Sequence, residues 1–185
     1  MAKSSAATNS VISVNEVNLE AFTATMEAVK KDPKNGATTW AVKTKWKGGF
    51  KTEAKLRGFS INFDEPEPVG GTDTTVSPHE TVLACYGACL TVGLSLNAAL
   101  KGIKLKSVEV DLEGHIDLPG FLGLAGIEGL KDLPGYHTVI ATVKVKSDAK
   151  KEEIEKIFDR VVKYSPVGLT LSRPVDVKTR LEYSK

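Results

Sequence analysis

Near the N-terminus, apolar residues recur every three or four positions, a pattern that predicts an amphipathic helix over residues 15–31. The Asp-Pro and Asn-Gly pairs within residues 32–36 end the pattern, because both pairs favour turns. The preceding residues, 1–12, have no such periodicity and are interpreted as a flexible tail. The apolar stripe of the predicted helix consists of Leu19, Phe22, Met26 and Val29.

The chain then alternates between apolar and polar residues in several segments, the period expected of half-buried strands. Glycine turns separate the first three segments, which predict an antiparallel meander with one face in water. The same alternation predicts strands later in the chain. The six predicted strands cover residues 38–46, 50–57, 60–64, 107–113, 136–146 and 174–183.

A long helix is predicted from Ser77 to about Leu100, and its start is the clearest local signal in the chain. Ser77 is a typical N-cap, Pro78 suits the first helical position, and Glu80 completes a capping box. Residues 81–100 carry no charge, so the segment has the length of a membrane span. Its glycines and polar residues argue instead for a helix wrapped by protein, inside a core or at a subunit interface.

A second amphipathic helix is predicted over residues 148–164, and a glycine-rich but apolar connection occupies residues 117–135. We expect this connection to lie over the core or over a pocket, because a free linker would be more polar. Helices interspersed with largely antiparallel strands predict an α+β fold.

The composition narrows the classes of function. The net charge of +2 gives no electrostatic case for nucleic acid or for an anionic membrane as a partner. Two cysteines are too few for a disulfide framework, and no secretory signal is evident at the N-terminus. We therefore expect a cytoplasmic protein.

The two cysteines, Cys85 and Cys89, lie four residues apart in the predicted long helix. A zinc site is disfavoured because the three histidines have no metal-ligand spacing to the cysteines. A disulfide is also disfavoured, since side chains at i and i+4 of a helix project in parallel. Two alternatives stay open: two small buried side chains, or a pair in which at least one thiol acts as a nucleophilic thiolate.

A longer motif surrounds these cysteines. Residues 64–92, D-E-P-E-P-V-G-G-T-D-T-T-V-S-P-H-E-T-V-L-A-C-Y-G-A-C-L-T-V, resemble the OsmC/Ohr family of bacterial thiol peroxidases. The segment Y-S-P-V-G-L-T-L-S-R-P-V-D-V, residues 164–177, resembles the family's second-cysteine segment. The resemblance covers roughly residues 38–183, so we interpret residues 13–36 as an N-terminal helical extension and residues 37–185 as an OsmC-like domain.

The resemblance implies roles for individual residues. Cys89 matches the peroxidatic cysteine, and Ser165 occupies the position of the resolving cysteine. Because serine cannot form a disulfide, either Cys85 resolves, or an external thiol does, or peroxide reduction is not the function. Glu80 and Arg57 are weaker candidates for the family's activating glutamate and arginine, since Glu80 is turned about half a revolution from Cys89 and also serves as a cap.

The resemblance further implies an intertwined homodimer whose long helices pack centrally. The expected function is reduction of organic hydroperoxides or hydrogen peroxide by Cys89, with an external thiol or dithiol as reductant and no metal or bound cofactor. An apolar pocket for the peroxide is expected to involve Phe121, Leu122 and Leu124. The partners would be the peroxide or an apolar ligand and a thiol reductant protein. The alternative is a non-enzymatic dimer that binds a small apolar or thiol-containing ligand, which Ser165 favours.

Overall fold

The computed structural model of the chain describes residues 14–124, 126–130 and 134–185. The predicted tail, residues 1–12, lies outside the described residues. The α+β fold is confirmed, with antiparallel strands and helices in the predicted order up to residue 164. The elements are α1 (Leu19–Lys31), β1 (Lys43–Trp46), β2 (Thr52–Leu56), β3 (Phe59–Phe63), α2 (Pro78–Leu100), β4 (Leu105–Ile116), β5 (Tyr136–Ser147), α3 (Lys151–Tyr164) and α4 (Pro166–Ser172), with short 3-10 turns at Pro33–Gly36 and Glu67–Val69.

The first three strands form the predicted antiparallel meander, in the order β1-β2-β3. A tight turn at Arg57 and Gly58 joins β2 to β3, and Arg57 adopts a positive φ of 54° there. Ala54 in the central strand is the buried residue of this small sheet. Many of the sheet's large apolar side chains, including Trp46 and Phe59, are exposed.

The second sheet is a long hairpin of β4 and β5 that packs on α2. Gly87 of α2 lies against this hairpin, where an added Cβ would come within 2.7 Å of Leu112 Cδ1. The absence of a side chain at this position therefore allows the helix to approach the sheet closely.

The core lies between α2, α3 and the β4–β5 hairpin. Its buried members are Leu90, Leu94, Ala98, Ile157 and Val161. The capping box of α2 is formed as predicted, since Glu80 N–H donates to Ser77 Oγ and Ser77 N–H donates to Glu80 Oε2. Local sequence signals and tertiary packing thus agree on the central helix.

The N-terminal helix α1 is attached through the residues that precede it. Asn15 donates a hydrogen bond from Nδ2 to Ile103 O at 2.9 Å, and its Oδ1 accepts one from Leu105 N–H at 2.9 Å. These bonds hold the chain at the junction of α2 and β4. Asn18 is the N-cap of α1, and its side chain accepts a hydrogen bond from Ala21 N–H.

The predicted last strand, residues 174–183, is wrong: this segment contains no regular secondary structure. Its alternating apolar side chains, such as Val177 and Leu181, are exposed. A strand needs a partner for its backbone hydrogen bonds, and none is provided by the residues that the structure describes. Helix α4, by contrast, was missed, although Ser165 and Pro166 are a typical N-cap and first helical residue.

The apolar connection between β4 and β5 also differs from expectation. Phe121, Leu122 and Leu124 are exposed and are not part of the core. The connection has a backbone of turns, with positive φ at several glycines, including Gly123 and Gly126.

By length and composition alone, α2 could cross a membrane, and 28% of its apolar window is buried within the chain. It packs against β4, α3 and α4. The chain itself therefore covers one side of this helix, as predicted for a helix wrapped by protein. Another side is uncovered, since Val92 is 66% exposed.

Candidate active site

The fold brings together the predicted nucleophile Cys89 and Ser165, the residue expected at the resolving position. Their side chains lie 3.2 Å apart from Sγ to Oγ, although the residues are 76 positions apart in the chain. Cys89 is half-buried in the middle of α2, and Ser165 is 3% exposed at the junction of α3 and α4. The contact places a thiol and a hydroxyl within hydrogen-bond range for sulfur.

Ser165 has a second hydrogen bond that orients its hydroxyl group. Gly168 N–H donates to Ser165 Oγ at 3.1 Å, which makes Ser165 the N-cap of α4. A hydroxyl has one hydrogen to donate and two lone pairs. With one lone pair occupied by Gly168, the Ser165 hydrogen is free to donate to the Cys89 sulfur, the arrangement that stabilises a thiolate.

Gly168 is also required for space. A Cβ at this position would lie 2.9 Å from Tyr86 Cε2 and 3.1 Å from Ser165 Oγ. Tyr86 of α2 therefore packs directly against the turn that carries Ser165. This packing fixes the start of α4 relative to the helix that carries Cys89.

Cys89 lines a cavity of about 410 Å³, a size within the range of small-molecule sites. Its walls are mainly apolar and come from α1, α2, α3 and the start of α4. The lining residues are Phe22, Met26, Cys89, Val92, Gly93, Leu96, Asn97, Leu100, Arg160, Val161, Tyr164, Ser165 and Pro166.

Phe121, Leu122 and Leu124, which were expected in this pocket, do not line the cavity within a single chain. Helix α1 contributes Phe22 and Met26 to the cavity wall. Sequence reasoning identified both residues as an apolar stripe, but their contact with the Cys89 cavity depends on how α1 is attached.

Arg160 is the functional candidate that sequence reasoning missed. Its Nε donates to Asn97 Oδ1 at 3.1 Å, and both residues line the cavity. In the sequence, Arg160 is one of several charges on the polar face of an amphipathic helix. Only its spacing of one turn before Tyr164 and Ser165 could have drawn attention to it.

Cys85, proposed as a weak candidate for resolution, is an exposed free thiol one turn before Cys89. It does not line the Cys89 cavity. The two thiols project from the same helix without a bond between them, as the parallel directions of i and i+4 side chains require.

Glu80 lies at the start of α2, where its carboxylate accepts the Ser77 N–H bond. Burial, with the Glu80 carboxylate as a smaller contribution, raises the pKa of Tyr136. The ring of Tyr136 in turn meets His79 edge-on, with centroids 5.6 Å apart. Glu80 therefore belongs to a polar cluster at the helix start and does not line the Cys89 cavity within one chain.

Arg57 lies in the β2–β3 turn, with its guanidinium 5.3 Å from the centroid of the Phe59 ring. It has no described hydrogen bond to Cys89 and does not line the cavity. The small sheet that carries Arg57 makes no extensive contact with α2 within the described residues. A single chain thus does not bring Arg57 to the thiol.

Within the described residues, no cluster of three or more histidine, cysteine, aspartate or glutamate side chains has the geometry of a metal site. His115 and His137 approach each other, with ring centroids 6.2 Å apart, but each faces a carboxylate: Glu113 and Asp117, respectively. The chemistry available at Cys89 is therefore that of a thiol, a hydroxyl and a guanidinium in an apolar cavity.

Comparison with solved structures agrees with the fold. The fold resembles an OsmC-like protein from Mycoplasma pneumoniae, with a TM-score of 0.60, 18% identity, and coverage of 73% of this chain and 88% of that one. It also resembles an OsmC-like protein from Vibrio cholerae, with a TM-score of 0.59, 12% identity, and coverage of 72% and 94%. An organic hydroperoxide resistance protein OsmC from Legionella pneumophila matches with a TM-score of 0.52, 17% identity, and coverage of 77% and 96%.

At these identities the solved structures establish the fold. A search of curated proteins found no match. The family described as OsmC-like protein matches residues 71–180, which is more than half of the chain and includes both Cys89 and Ser165. The chain therefore belongs to the OsmC-like family.

Proposed function

We propose that this protein is a thiol-dependent hydroperoxide reductase in which Cys89 is the peroxidatic nucleophile. The observation that carries the proposal is the position of the Cys89 sulfur, 3.2 Å from the Ser165 hydroxyl and in the wall of an apolar cavity. An apolar cavity suits the organic part of a hydroperoxide, and the hydroxyl supplies a hydrogen-bond donor to the thiolate. Solved proteins of similar fold include ones described as organic hydroperoxide resistance proteins.

The proposed reaction starts with the Cys89 thiolate. Its sulfur attacks one peroxide oxygen, so that an S–O bond forms and the O–O bond breaks. The sulfur is oxidised by two electrons to a sulfenic acid, and the peroxide is reduced to an alcohol, which leaves after its oxygen takes up a proton. Hydrogen peroxide in place of an organic hydroperoxide would release water.

The sulfenic acid must then be reduced by a thiol from outside the chain. Ser165 stands at 3.2 Å but cannot form a disulfide, and the exposed Cys85 projects parallel to Cys89 from the same helix. An external thiol or a thiol reductant protein forms a mixed disulfide with Cys89 and releases water, and a second thiol regenerates the free cysteine. Such a cycle needs a reducing compartment, which favours the cytoplasm.

We also propose that the working unit is a homodimer. Helix α2 exposes Val92 and Leu100, and the C-terminal segment exposes an alternating row of apolar side chains. An unpaired alternating segment and an uncovered apolar helix face are both features that a second copy can bury. Arg57 and Glu80 would have to act on Cys89 across such an interface, because a single chain does not bring them to it.

Sedimentation equilibrium tests the dimer. We expect the wild-type protein to sediment as a dimer and Val92→Lys to dissociate at least about tenfold more readily, since a charge would have to be buried. Lys101→Ala, at the C-cap of the same helix, is the control for a general effect of substitution near α2. A monomeric wild-type protein at micromolar concentration would overturn this part of the proposal.

The reductase activity is tested by the consumption of cumene hydroperoxide in the presence of dithiothreitol. We expect wild-type protein and Cys85→Ser to consume the peroxide at similar rates and Cys89→Ser to be inactive. Equal rates for wild-type protein and Cys89→Ser, or no consumption by either, would overturn the proposal. Mass spectrometry after one equivalent of peroxide without reductant should place the added oxygen on Cys89.

The occupation of the resolving position by Ser165 also favours a second candidate, a non-enzymatic dimer that binds a small apolar or thiol-containing ligand. In that case the protein would bind such a ligand in the Cys89 cavity, and its thiol would survive cumene hydroperoxide unchanged. The same mass measurement separates the two candidates, because only the reductase forms a sulfenic acid at Cys89.

A further inference from the structure

Tyr86 contacts the same turn of the chain as the Cys89 thiol does. It precedes Cys89 by three residues on α2, so the two side chains lie on the same face of the helix. Cys89 Sγ lies 3.2 Å from the hydroxyl oxygen of Ser165, the N-cap of α4. The Tyr86 ring packs against Gly168 in the first turn of α4, where an added Cβ would lie 2.9 Å from Tyr86 Cε2. Two neighbouring residues of α2 therefore contact the start of one short helix.

Burial of α4 does not fix the position of this turn. The helix has seven residues, Pro166–Ser172, and none of them is buried. Two hydrogen bonds shape the turn from within: Gly168 N–H donates to Ser165 Oγ at 3.1 Å, and Leu169 N–H donates to Ser165 O at 2.9 Å. Neither bond joins the turn to α2. Side-chain contacts with α2 therefore have a large part in setting the distance between Ser165 and Cys89.

The Tyr86 ring is held on its other side by the protein core. It packs against the buried cluster formed by α2, α3 and the β4–β5 hairpin. A second cavity, of about 240 Å³, lies beside the contact with α4, and both Tyr86 and Gly168 line it. The other walls of this second cavity belong to β5 and to the end of α4. Because this space is open, a turn released from the ring would have room to move.

We propose that Tyr86 is a positioning residue for the Cys89 thiol, and that its ring acts through Gly168 to hold the Ser165 hydroxyl within hydrogen-bond range of the sulfur. A ring carbon makes the contact with Gly168, so the effect depends on the ring and not on the Tyr86 hydroxyl. A Ser165 hydroxyl that leaves its present position loses the alignment that a hydrogen bond to the thiolate requires. The inference rests on the proposed function in taking Cys89 as the nucleophile.

The alkylation of Cys89 by iodoacetamide tests the inference without peroxide. Each variant is made in the full-length Cys85→Ser protein, which leaves Cys89 as its single cysteine. Mass spectrometry follows the rate of labelling at pH 7 and at about pH 9.5, where most thiols are ionised because a free cysteine has a pKa of about 8.5.

Tyr86→Leu should be labelled at least about threefold more slowly than the parent protein at pH 7, since it weakens a hydrogen bond to a charged group. Leucine still packs on the core but does not extend as far as the ring. The loss should shrink at the higher pH, because the thiolate then forms without the hydroxyl. Tyr86→Phe keeps the ring and should keep the parent rate. Tyr86→Met, which also lacks the ring, replaces the leucine variant if circular dichroism shows that the latter is unfolded.

A double variant shows whether Tyr86 acts through Ser165. Ser165→Ala removes the hydroxyl that the ring is proposed to hold, so Tyr86→Leu should cause no further loss in that background. Tyr136→Leu is the matched control and should keep the parent rate. Tyr136 is also a partly buried tyrosine that lines the second cavity, but its ring packs against Gly114 of β4.

The inference is overturned if Tyr86→Leu is labelled as fast as the parent protein or faster. A loss that is equal at both pH values would also overturn it, since access to the thiol would then have changed rather than its ionisation. The same holds if Tyr86→Phe or Tyr136→Leu is slowed as much as Tyr86→Leu, or if Tyr86→Leu has its full effect in the Ser165→Ala protein. The expected rates without cumene hydroperoxide consumption by the wild-type protein would refute only the proposed function.

Discussion

The hydroxyl oxygen of Ser165 lies 3.2 Å from the sulfur of Cys89. In a thiol peroxidase that resolves its own sulfenic acid, the partner of the nucleophile would be a second sulfur. Here the partner is a hydroxyl that also caps α4 through Gly168 N–H. Ser165 can therefore donate a hydrogen bond to a thiolate and cap a helix. Unlike a second cysteine, it cannot form a disulfide with Cys89 and so cannot reduce a Cys89 sulfenic acid.

Ser165→Cys should convert the site into one that closes its own disulfide. The Sγ to Oγ distance of 3.2 Å shows that the two side chains already face each other, so only a small shift is needed to reach a sulfur–sulfur bond. We expect one equivalent of cumene hydroperoxide to produce an internal disulfide with Cys89, detected by mass spectrometry. Ser172→Cys, at the exposed end of α4, should give no such bond.

Ser165→Ala should slow the alkylation of Cys89 by iodoacetamide at pH 7 by about tenfold, since a hydrogen bond to a charged group contributes about 1.5–3 kcal/mol. The rate at which iodoacetamide labels Cys89 measures this effect. Ser77→Ala is the matched control, because Ser77 is also a buried N-cap serine but lies at the start of α2 and does not line the cavity. Equal rates in both variants would show that the loss of a helix cap, rather than of the contact with sulfur, causes the change.

Val161→Ala and Val162→Ala form a matched pair on α3. Val161 is 4% exposed and packs against Gly93 of α2, whereas Val162 is 42% exposed. We expect Val161→Ala to lower the free energy of unfolding by about 1–3 kcal/mol and Val162→Ala to change it by less than about 0.5 kcal/mol. Urea unfolding followed by circular dichroism measures both, and similar losses would contradict the assignment of the core.

Asp64 should make stability depend on pH. The pKa of the buried Asp64 carboxyl is held well below its ordinary value by hydrogen bonds that favour the charged form. The largest contribution comes from the Thr72 hydroxyl, and smaller ones come from the Glu65 backbone N–H and from Thr74. The stabilisation is therefore complete above the unfolded-state pKa of about 3.9 and is lost as the pH falls from there toward the folded-state pKa.

Asp64→Asn should accordingly be less stable than wild type at pH 7, and the difference should shrink below about pH 4. Urea unfolding at pH 7 and pH 3 measures the difference in the free energy of unfolding between Asp64→Asn and wild type. Asp73→Asn, an exposed position in the same loop, should show little difference at either pH. A loss of stability that is equal at pH 7 and pH 3 would mean that the Asp64 side chain acts through its shape and not through its charge.

Much of the fold followed from local patterns. The Ser77 capping box, the alternation in β4 and β5, and the stripe of α3 each describe interactions between residues close in the sequence. The strand predicted at residues 174–183 is absent, because alternation of apolar and polar residues indicates only that a segment can form a strand. Whether one does form depends on a partner strand, and the described part of the chain does not supply one.

The same division applies to the candidate site. The sequence by itself determined that Cys89 lies on a long capped helix, and the resemblance of its motifs led to the expectation that Cys89 and Ser165 occupy the family's two cysteine positions. Only the tertiary structure decided that the two side chains meet, that α1 brings Phe22 and Met26 to the cavity, and that Arg160 donates a hydrogen bond to Asn97 in the cavity wall. Distances between residues far apart in the chain are set by how α1, α2 and α3 pack, and no local pattern encodes that packing.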